Sequence, residues 1–233
     1  MARRKKLSKK MGNIRHLITK LNPRSPVSEQ YKTVRTNLQF AAVDGDLKSM
    51  LITSSGPAEG KSTVTANLAV VFAQQGKKVL LIDADMRKPT LHYTFRLDNL
   101  QGLSSVLVGG GTLEGSVRNS DVPGLDLLPC GPIPPNPSEL LGSKKMEQLV
   151  EEAYKQYDLV IFDTPPVLAV TDAQILGNLC HGVVMVVRSK QTEYEAAQKA
   201  KELLKVGNAK LLGVVLNDKE VKRDSQYYYY GTN

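Results

Sequence analysis

Three groups of residues in this 233-residue chain have the types and spacing to handle phosphate. The first is Ser54-Ser55-Gly56-Pro57-Ala58-Glu59-Gly60-Lys61-Ser62-Thr63, which follows an apolar run and opens a helical stretch. A phosphate chain needs convergent backbone N–H groups and the partial positive charge of a helix N-terminus. Gly60 lets the backbone approach phosphate oxygens closely. Lys61 is placed to reach the β and γ phosphates, and Ser62 to offer its hydroxyl to Mg²⁺. The strict pattern GxxxxGK(S/T) has glycine where this chain has Ser55. The alternative is an ordinary helix start that reads Gly-Lys-Ser, but the strand and helix flanks favour a phosphate loop. Its nucleotide contacts are expected from Ser55, Gly56, Ala58, Glu59, Gly60, Lys61, Ser62 and Thr63.

The second group is acidic. Val79–Ile82 ends in Asp83-Ala84-Asp85, and Leu159–Phe162 ends in Asp163-Thr164-Pro165-Pro166. In an open α/β sheet, ligands collect outside the carboxyl ends of the strands. Asp83, Asp85 and Asp163 are thus carried to the edge that holds the phosphate loop. A single Asp there is equally a turn former or helix cap; three beside a phosphate loop read as a metal and proton-transfer set. Asn217 ends the last apolar run, where its amide could exchange a donor and an acceptor with a purine edge. A turn-forming Asn is the alternative. GTPases commonly carry Asn-Lys-x-Asp; here the order is Asn217-Asp218-Lys219-Glu220, which favours ATP. The third group is the cluster Tyr227, Tyr228, Tyr229 and Tyr230, close to the end of the sequence given. Four adjacent aromatics in a polar terminal segment cannot all face one core. A flexible tail over residues 221–233 is the simpler reading, with docking on a partner as the alternative.

Elements that position these groups follow from periodicity. Near-continuous Val/Ile/Leu runs occur at Ser49–Thr53, Lys78–Ile82, Leu125–Leu128, Leu159–Phe162, Val183–Val187 and Leu211–Leu216. Such runs suit strands covered on both faces. Helical patterns fall between them at Lys61–Gln75, Leu103–Val108, Glu139–Tyr154, Asp172–Leu179 and Thr192–Val206. The alternation predicts an α/β, doubly wound, mainly parallel sheet of the P-loop NTPase kind. A further amphipathic helix is expected over 25–43, with Ser28 as its N-cap and Asp44-Gly45-Asp46 closing it. The domain then runs over 25–220.

Composition narrows the classes. A chain with 41% hydrophobic and 23% charged residues is globular rather than disordered. No apolar run approaches the ~18 residues of a membrane span. Cys130 and Cys180 lie far apart, fitting neither a disulfide framework nor a zinc site, and imply a reducing cytosol. His16, His92 and His181 are isolated. The net charge of +8 is local: residues 1–24 hold nine Lys/Arg and no acid, and the rest holds 22 Lys/Arg against 23 Asp/Glu. Residues 1–24 are therefore expected to form a flexible basic arm, either solvated or drawn to anionic lipid headgroups at ~1 kcal/mol per basic residue. No recognition helix or stacking platform supports nucleic acid as a partner.

Together these residues resemble the bacterial tyrosine kinases (BY-kinases) of capsule and exopolysaccharide biosynthesis. The resemblance covers roughly residues 25–230. Ser54 to Thr63 follows that family's Walker A, with Ala58 at a position where the family has glycine. Ile82-Asp83-Ala84-Asp85-Met86-Arg87-Lys88-Pro89 matches the Walker A′ motif, and Val160-Ile161-Phe162-Asp163-Thr164-Pro165-Pro166 matches Walker B. The tyrosine cluster matches the family's phosphoacceptor tail. Partition and cell-division ATPases usually carry a second lysine at the position of Gly56. Glu29, Lys32 and Arg35 stand where the family's oligomerisation helix reads Glu-x-x-Arg-x-x-Arg; Lys32 keeps the charge but loses the planar fork of arginine.

The resemblance implies an ATP- and Mg²⁺-dependent protein-tyrosine kinase. Lys61, Asp83, Asp85 and Asp163 would be catalytic, with Ser62 and the three acids serving the metal. The tail Tyr227–Tyr230 would be autophosphorylated, in trans within a homo-oligomeric ring. From Asp218 to Tyr228 the leash spans at most ~35 Å, so reach alone does not choose between cis and trans. Implied partners are a membrane-spanning activator of the polysaccharide co-polymerase type, a cognate phosphotyrosine phosphatase and other protein substrates. The implied location is the cytoplasm, at the inner face of the cell membrane through that activator. A nucleotide-dependent scaffold or partition-type ATPase that phosphorylates no protein is the alternative, and a nucleic-acid binder using the basic arm is a third class.

Overall fold

The computed structural model describes residues 17–42 and 47–220. Seven strands form one sheet: β1 Ser49–Ser54, β2 Val79–Asp83, β3 Arg118–Asn119, β4 Leu125–Leu128, β5 Leu159–Asp163, β6 Gly182–Arg188 and β7 Leu211–Asn217. Their order is β3-β4-β2-β5-β1-β6-β7. Every neighbouring pair is parallel except β3 with β4. The helices are α1 Ile18–Leu21, α2 Pro26–Ala41, α3 Lys61–Ala73, α4 Leu91–Phe95, α5 Leu103–Leu107, α6 Leu113–Ser116, α7 Pro137–Leu141, α8 Lys144–Gln156, α9 Asp172–Gly177 and α10 Tyr194–Val206. This is the expected doubly wound, mainly parallel α/β sheet.

Side chains alternate across a strand, so β1, β2 and β5 feed two cores. Leu51, Leu80, Ile82, Val160 and Phe162 pack with α8, α9 and α10. Met50, Ile52, Leu81, Val79 and Ile161 pack with α3 and the helices over it. Helix α8 shows the required spacing, burying Met146, Leu149, Val150 and Ala153 on one face. Helix α3 is instead buried nearly all round. It needs cover on its outer side, which Leu17, just before α1, and Leu38, Tyr31 and Val34 of α2 supply.

Several expected boundaries move. Residues 17–24, assigned by their basicity to a flexible arm, are held on the body. Thr19 is fully buried, and its N–H and hydroxyl donate to Asn67 Oδ1 of α3 at 3.1 and 2.8 Å. Helix α2 is capped by Ser25 rather than Ser28: the Ser25 hydroxyl accepts from the Ser28 N–H, and Pro26 takes the first helical position. The expected closing turn at Asp44-Gly45-Asp46 lies outside the described residues. The single helix expected over Glu139–Tyr154 is two, α7 and α8. The break falls at Gly142-Ser143, where the Ser143 hydroxyl caps α8 by accepting from the Met146 N–H. Strand β3 is too short, at two residues, to show a period. No helix among the described residues is long and apolar enough to cross a membrane.

Candidate active site

Strand β1 lies between β5 and β6, so its carboxyl end opens where acids from β2 and β5 also emerge. The chain turns there over Ser55–Gly60 into α3. Gly60 sits at φ 89°, and a Cβ on it would fall 2.1 Å from Asn217 Nδ2. Glycine is thus favoured by conformation, and a Cβ there would also displace the Asn217 amide. Ala58 sits at φ 64°. A non-glycine residue in that left-handed region costs about 1–2 kcal/mol. Ala58 carries that cost, which a glycine would avoid. The Ser54 hydroxyl donates to the Gly56 carbonyl at 2.8 Å, tightening the turn. The first N–H groups of α3, at Lys61, Ser62 and Thr63, lack carbonyls one turn back within the helix, so they face the loop as anion donors.

Asp83 and Asp163 are register partners at the ends of β2 and β5, and both are completely buried. Asp83 Oδ2 accepts from the N–H groups of Thr90 and Leu91, each at 3.0 Å, at the start of α4. Its Oδ1 has no hydrogen-bond partner among the described residues. Burial, and then the neighbouring Asp163 charge, raise the Asp83 carboxyl to about 7. Asp85 Oδ1 accepts from the Lys88 N–H at 3.0 Å. Lys61 Nζ lies 2.9 Å from Asp85 Oδ2, 3.6 Å from Asp163 Oδ2 and 3.2 Å from Ser62 Oγ. Burial works to lower the Lys61 pKa, but the charges of Asp163 and Asp85 outweigh it, so its pKa is raised and it stays cationic. The Thr65 hydroxyl, one turn along α3, reaches Asp163 Oδ1 at 3.2 Å.

One ammonium thus faces three carboxylates. That negative surplus, the unpartnered Asp83 oxygen and the adjacent Ser62 hydroxyl suit a hydrated divalent cation carried in with a polyphosphate. No group of three His, Cys, Asp or Glu among the described residues forms a closed metal cage. Mg²⁺ does not require one, since it keeps several waters and takes phosphate oxygens as ligands.

Asn217, expected to read a purine, reaches the correct edge. Its Nδ2 is already donating to the Glu59 carbonyl at 3.0 Å, which makes it a buttress of the loop. Of the expected oligomerisation residues, Glu29 and Lys32 pair with each other at 2.7 Å, and Arg35 Nη1 donates to the Val71 carbonyl of α3 at 3.0 Å. Tyr227, Tyr228, Tyr229 and Tyr230 lie outside the described residues.

Two further side-chain pairings, which no spacing in the sequence announces, support the site. Arg87, two residues past Asp85, forks onto Asp172 with Nε–Oδ2 3.0 Å and Nη2–Oδ1 3.1 Å. Asp172 is fully buried and also accepts from the Ser138 hydroxyl at 2.6 Å. This anchors the Asp83–Lys88 loop to α7 and α9. Ser55 and Thr192 both donate to Glu59 Oε1, at 2.7 and 2.6 Å. Arg87 and Asp172 stand 85 positions apart, and Thr192 and Glu59 stand 133 apart, so no local spacing links either pair.

A phosphate loop after the inner strand β1, a half-buried lysine at its end and acids at two neighbouring strand ends define a P-loop nucleotide-binding protein. A family model described as an AAA domain matches residues 50–209. The chain is 56% identical to tyrosine-protein kinase YwqD of Bacillus subtilis over 232 residues, covering all of this chain and 97% of that one. It is 41% identical to the putative tyrosine-protein kinase CapB of Staphylococcus aureus, covering 96% and 98%. Against tyrosine-protein kinase Wzc of Salmonella typhimurium it is 38% identical over 90% of this chain but only 29% of that one. Among solved structures, the chimerical protein CapA2B2 superposes with TM-score 0.85 at 47% identity, covering 88% of this chain and 90% of that one. The septum site-determining protein MinD of Pyrococcus horikoshii, complexed with Mg-ADP, shares the fold at TM-score 0.63 and 22% identity, covering 80% and 78%. The chain belongs to the bacterial tyrosine kinase (BY-kinase) family. Its enzyme class is protein-tyrosine kinase, on the pattern of the Bacillus and Staphylococcus chains that it matches from end to end.

Proposed function

We propose that this kinase moves the γ-phosphoryl group of Mg·ATP to Tyr227, Tyr228, Tyr229 and Tyr230 of a neighbouring copy, and thereby regulates capsule or exopolysaccharide synthesis. The observation that carries the reading is the convergence of Lys61, Asp85 and Asp163 beside the buried Asp83, whose carboxyl burial and the Asp163 charge push up to about 7. A general base works best with a pKa near the operating pH.

Phosphoryl transfer passes through a loose transition state, so positioning and charge neutralisation dominate. The Ser55–Gly60 loop and the start of α3 hold the phosphates, with Gly56, Ala58, Glu59 and Gly60 supplying backbone, Ser62 and Thr63 the helix start, and Asn217 the buttress. Lys61 neutralises charge on the transferring group. Asp83 accepts the phenolic proton as the new O–P bond forms and ADP leaves, and Asp85, Asp163 and Ser62 would hold Mg²⁺ through its waters. Mg²⁺, when bound, supplies the remaining positive charge.

Helix α2, with Glu29, Lys32 and Arg35, is the proposed ring contact. The proposed partners are a membrane-spanning activator of the co-polymerase type, a cognate phosphotyrosine phosphatase and further protein substrates, with the chain held at the inner face of the membrane through that activator. The relation to Wzc supports the activator, because the kinase region there is one part of a much longer chain. Each tail phosphate adds about −1.5 to −2 charge, so repulsion between modified tails would push ring subunits apart. The test is labelling with ATP and Mg²⁺, with and without the cytoplasmic tail of a candidate activator, followed by mapping of the labelled residues. Replacing all four tail tyrosines with phenylalanine should abolish autophosphorylation and leave nucleotide affinity unchanged. Label that stays in the variant, or a wild type that binds nucleotide yet carries no tail phosphate, would refute the reading.

A further inference from the structure

Glu59 is an unexpected side chain for a phosphate cradle. Its carboxylate has the same sign as the ligand, and it is 7% exposed, so water screens it little. It is compatible with a bound polyphosphate only if its orientation is held. Two hydroxyls hold it, both on Oε1: Ser55 from the loop itself and Thr192 from the segment that joins β6 to α10. Oε2 has no hydrogen-bond partner among the described residues.

Thr192 Oγ1 in turn accepts from the Arg188 N–H at 2.8 Å, so a polar chain runs from the end of β6 through Thr192 to the loop. The same side of the loop is gripped twice more. Arg188 Nη1 reaches the Ala58 carbonyl at 3.4 Å, and Asn217 Nδ2 donates to the Glu59 carbonyl at 3.0 Å. These contacts fall on Ala58, the one non-glycine left-handed residue of the loop, and on its neighbour Glu59. A strained conformation persists only where its surroundings over-determine it.

We propose that Thr192 is a positioning residue for nucleotide binding: its hydroxyl fixes the Glu59 carboxylate and so keeps the Ser55–Gly60 loop in its phosphate-binding form. The proposal rests on the reading that this loop seats Mg·ATP. It assigns a role to the β6–α10 segment, which carries none of the Walker motifs. The reacting atoms are not touched, so the effect belongs to ground-state binding rather than to the chemical step.

The experiment compares wild type with Thr192→Val, Thr192→Ala and Thr192→Ser. Mg·ADP affinity is measured by calorimetry, KM for ATP and kcat by tail labelling, and folding by melting of the nucleotide-free chain. Loss of a hydrogen bond to a charged group predicts at least about 10-fold weaker Mg·ADP binding in Thr192→Val and Thr192→Ala, with KM raised and kcat held. Thr192→Ser keeps the donor and should bind within about 2-fold of wild type. If Thr192→Val is too unstable to assay, Thr192→Ala, which leaves no bulk to accommodate, decides. Wild-type affinity in a folded hydroxyl-less variant would overturn the proposal, as would a loss equal in Thr192→Ser or a loss confined to kcat. A wild type that binds Mg·ADP without labelling its tail sinks the proposed function alone, since the affinities still decide the role of Thr192. A wild type that binds no Mg·ADP sinks both.

Discussion

Replacing Asp83 with asparagine separates the charge of that side chain from its shape. Asparagine is nearly isosteric, and its carbonyl oxygen can still accept from the Thr90 and Leu91 N–H groups. What it removes is titration. In the folded chain burial, and then Asp163, raise the Asp83 carboxyl from 3.8 to about 7. A raised carboxyl means that the folded state holds the proton more tightly than the unfolded state. The stabilisation from that proton is therefore complete below pH 4 and is lost as pH rises through 7. Between pH 5 and pH 8 the loss is roughly 3 kcal/mol, because the slope of about 1.36 kcal/mol per pH unit levels off as pH passes 7. Asp83→Asn escapes it. In metal-free, nucleotide-free protein the variant should therefore gain on wild type by about 6–12 °C in Tm between pH 5 and pH 8, taking 2–4 °C per kcal/mol. Excess Mg²⁺ with nucleotide should shrink that gap, because the cation offsets the buried charge. Tail phosphorylation should move the other way, falling by about 10²–10⁴-fold with loss of the proton acceptor. In wild type, the acid limb of the kcat profile should reflect the same carboxyl. Melting curves that shift in parallel for both proteins from pH 5 to pH 8 would refute the assignment of an elevated pKa to Asp83. A variant that phosphorylates at the wild-type rate would refute its role as base.

Gly60→Ala should cut Mg·ADP affinity by more than 10-fold while the chain remains folded, since the new Cβ meets Asn217 Nδ2 at 2.1 Å in a left-handed backbone that costs about 1–3 kcal/mol for other residues; calorimetry and melting check both halves. Arg87→Ala leaves the buried Asp172 with Ser138 as its remaining donor from this cluster, and should lower stability by about 1–3 kcal/mol by denaturant unfolding. Arg87→Lys should recover less than half of that, because an ammonium cannot reproduce the two-point fork.

The legible part of this protein is the part written in neighbouring positions. The phosphate loop from Ser54 to Thr63 could be read because a strand, a tight turn and a helix start follow one another in the chain, and each has its own local rule. The same holds for Asp83, Asp85 and Asp163, which close apolar runs, and for the parallel sheet, since buried strands and intervening helices differ in period. Even Gly60 could be singled out in advance. Its neighbour Ala58 could be marked as a departure, but the left-handed backbone that makes the departure matter is a property of the folded turn.

Tertiary structure alone decided what depends on distant segments meeting. It set β5 between β1 and β2, which brings Asp163 beside Asp83 and raises the latter's pKa. It laid α2 on α3, where Arg35, expected in the oligomerisation contact, also donates to the Val71 carbonyl, and it drew residues 17–24 out of the expected arm. It joined Arg87 to Asp172 and Thr192 to Glu59, pairs with no common periodicity. The physical reason is that propensity and hydrophobic period act over a few residues. Desolvation, charge coupling and side-chain hydrogen bonds act through space, between groups whose separation along the chain is arbitrary.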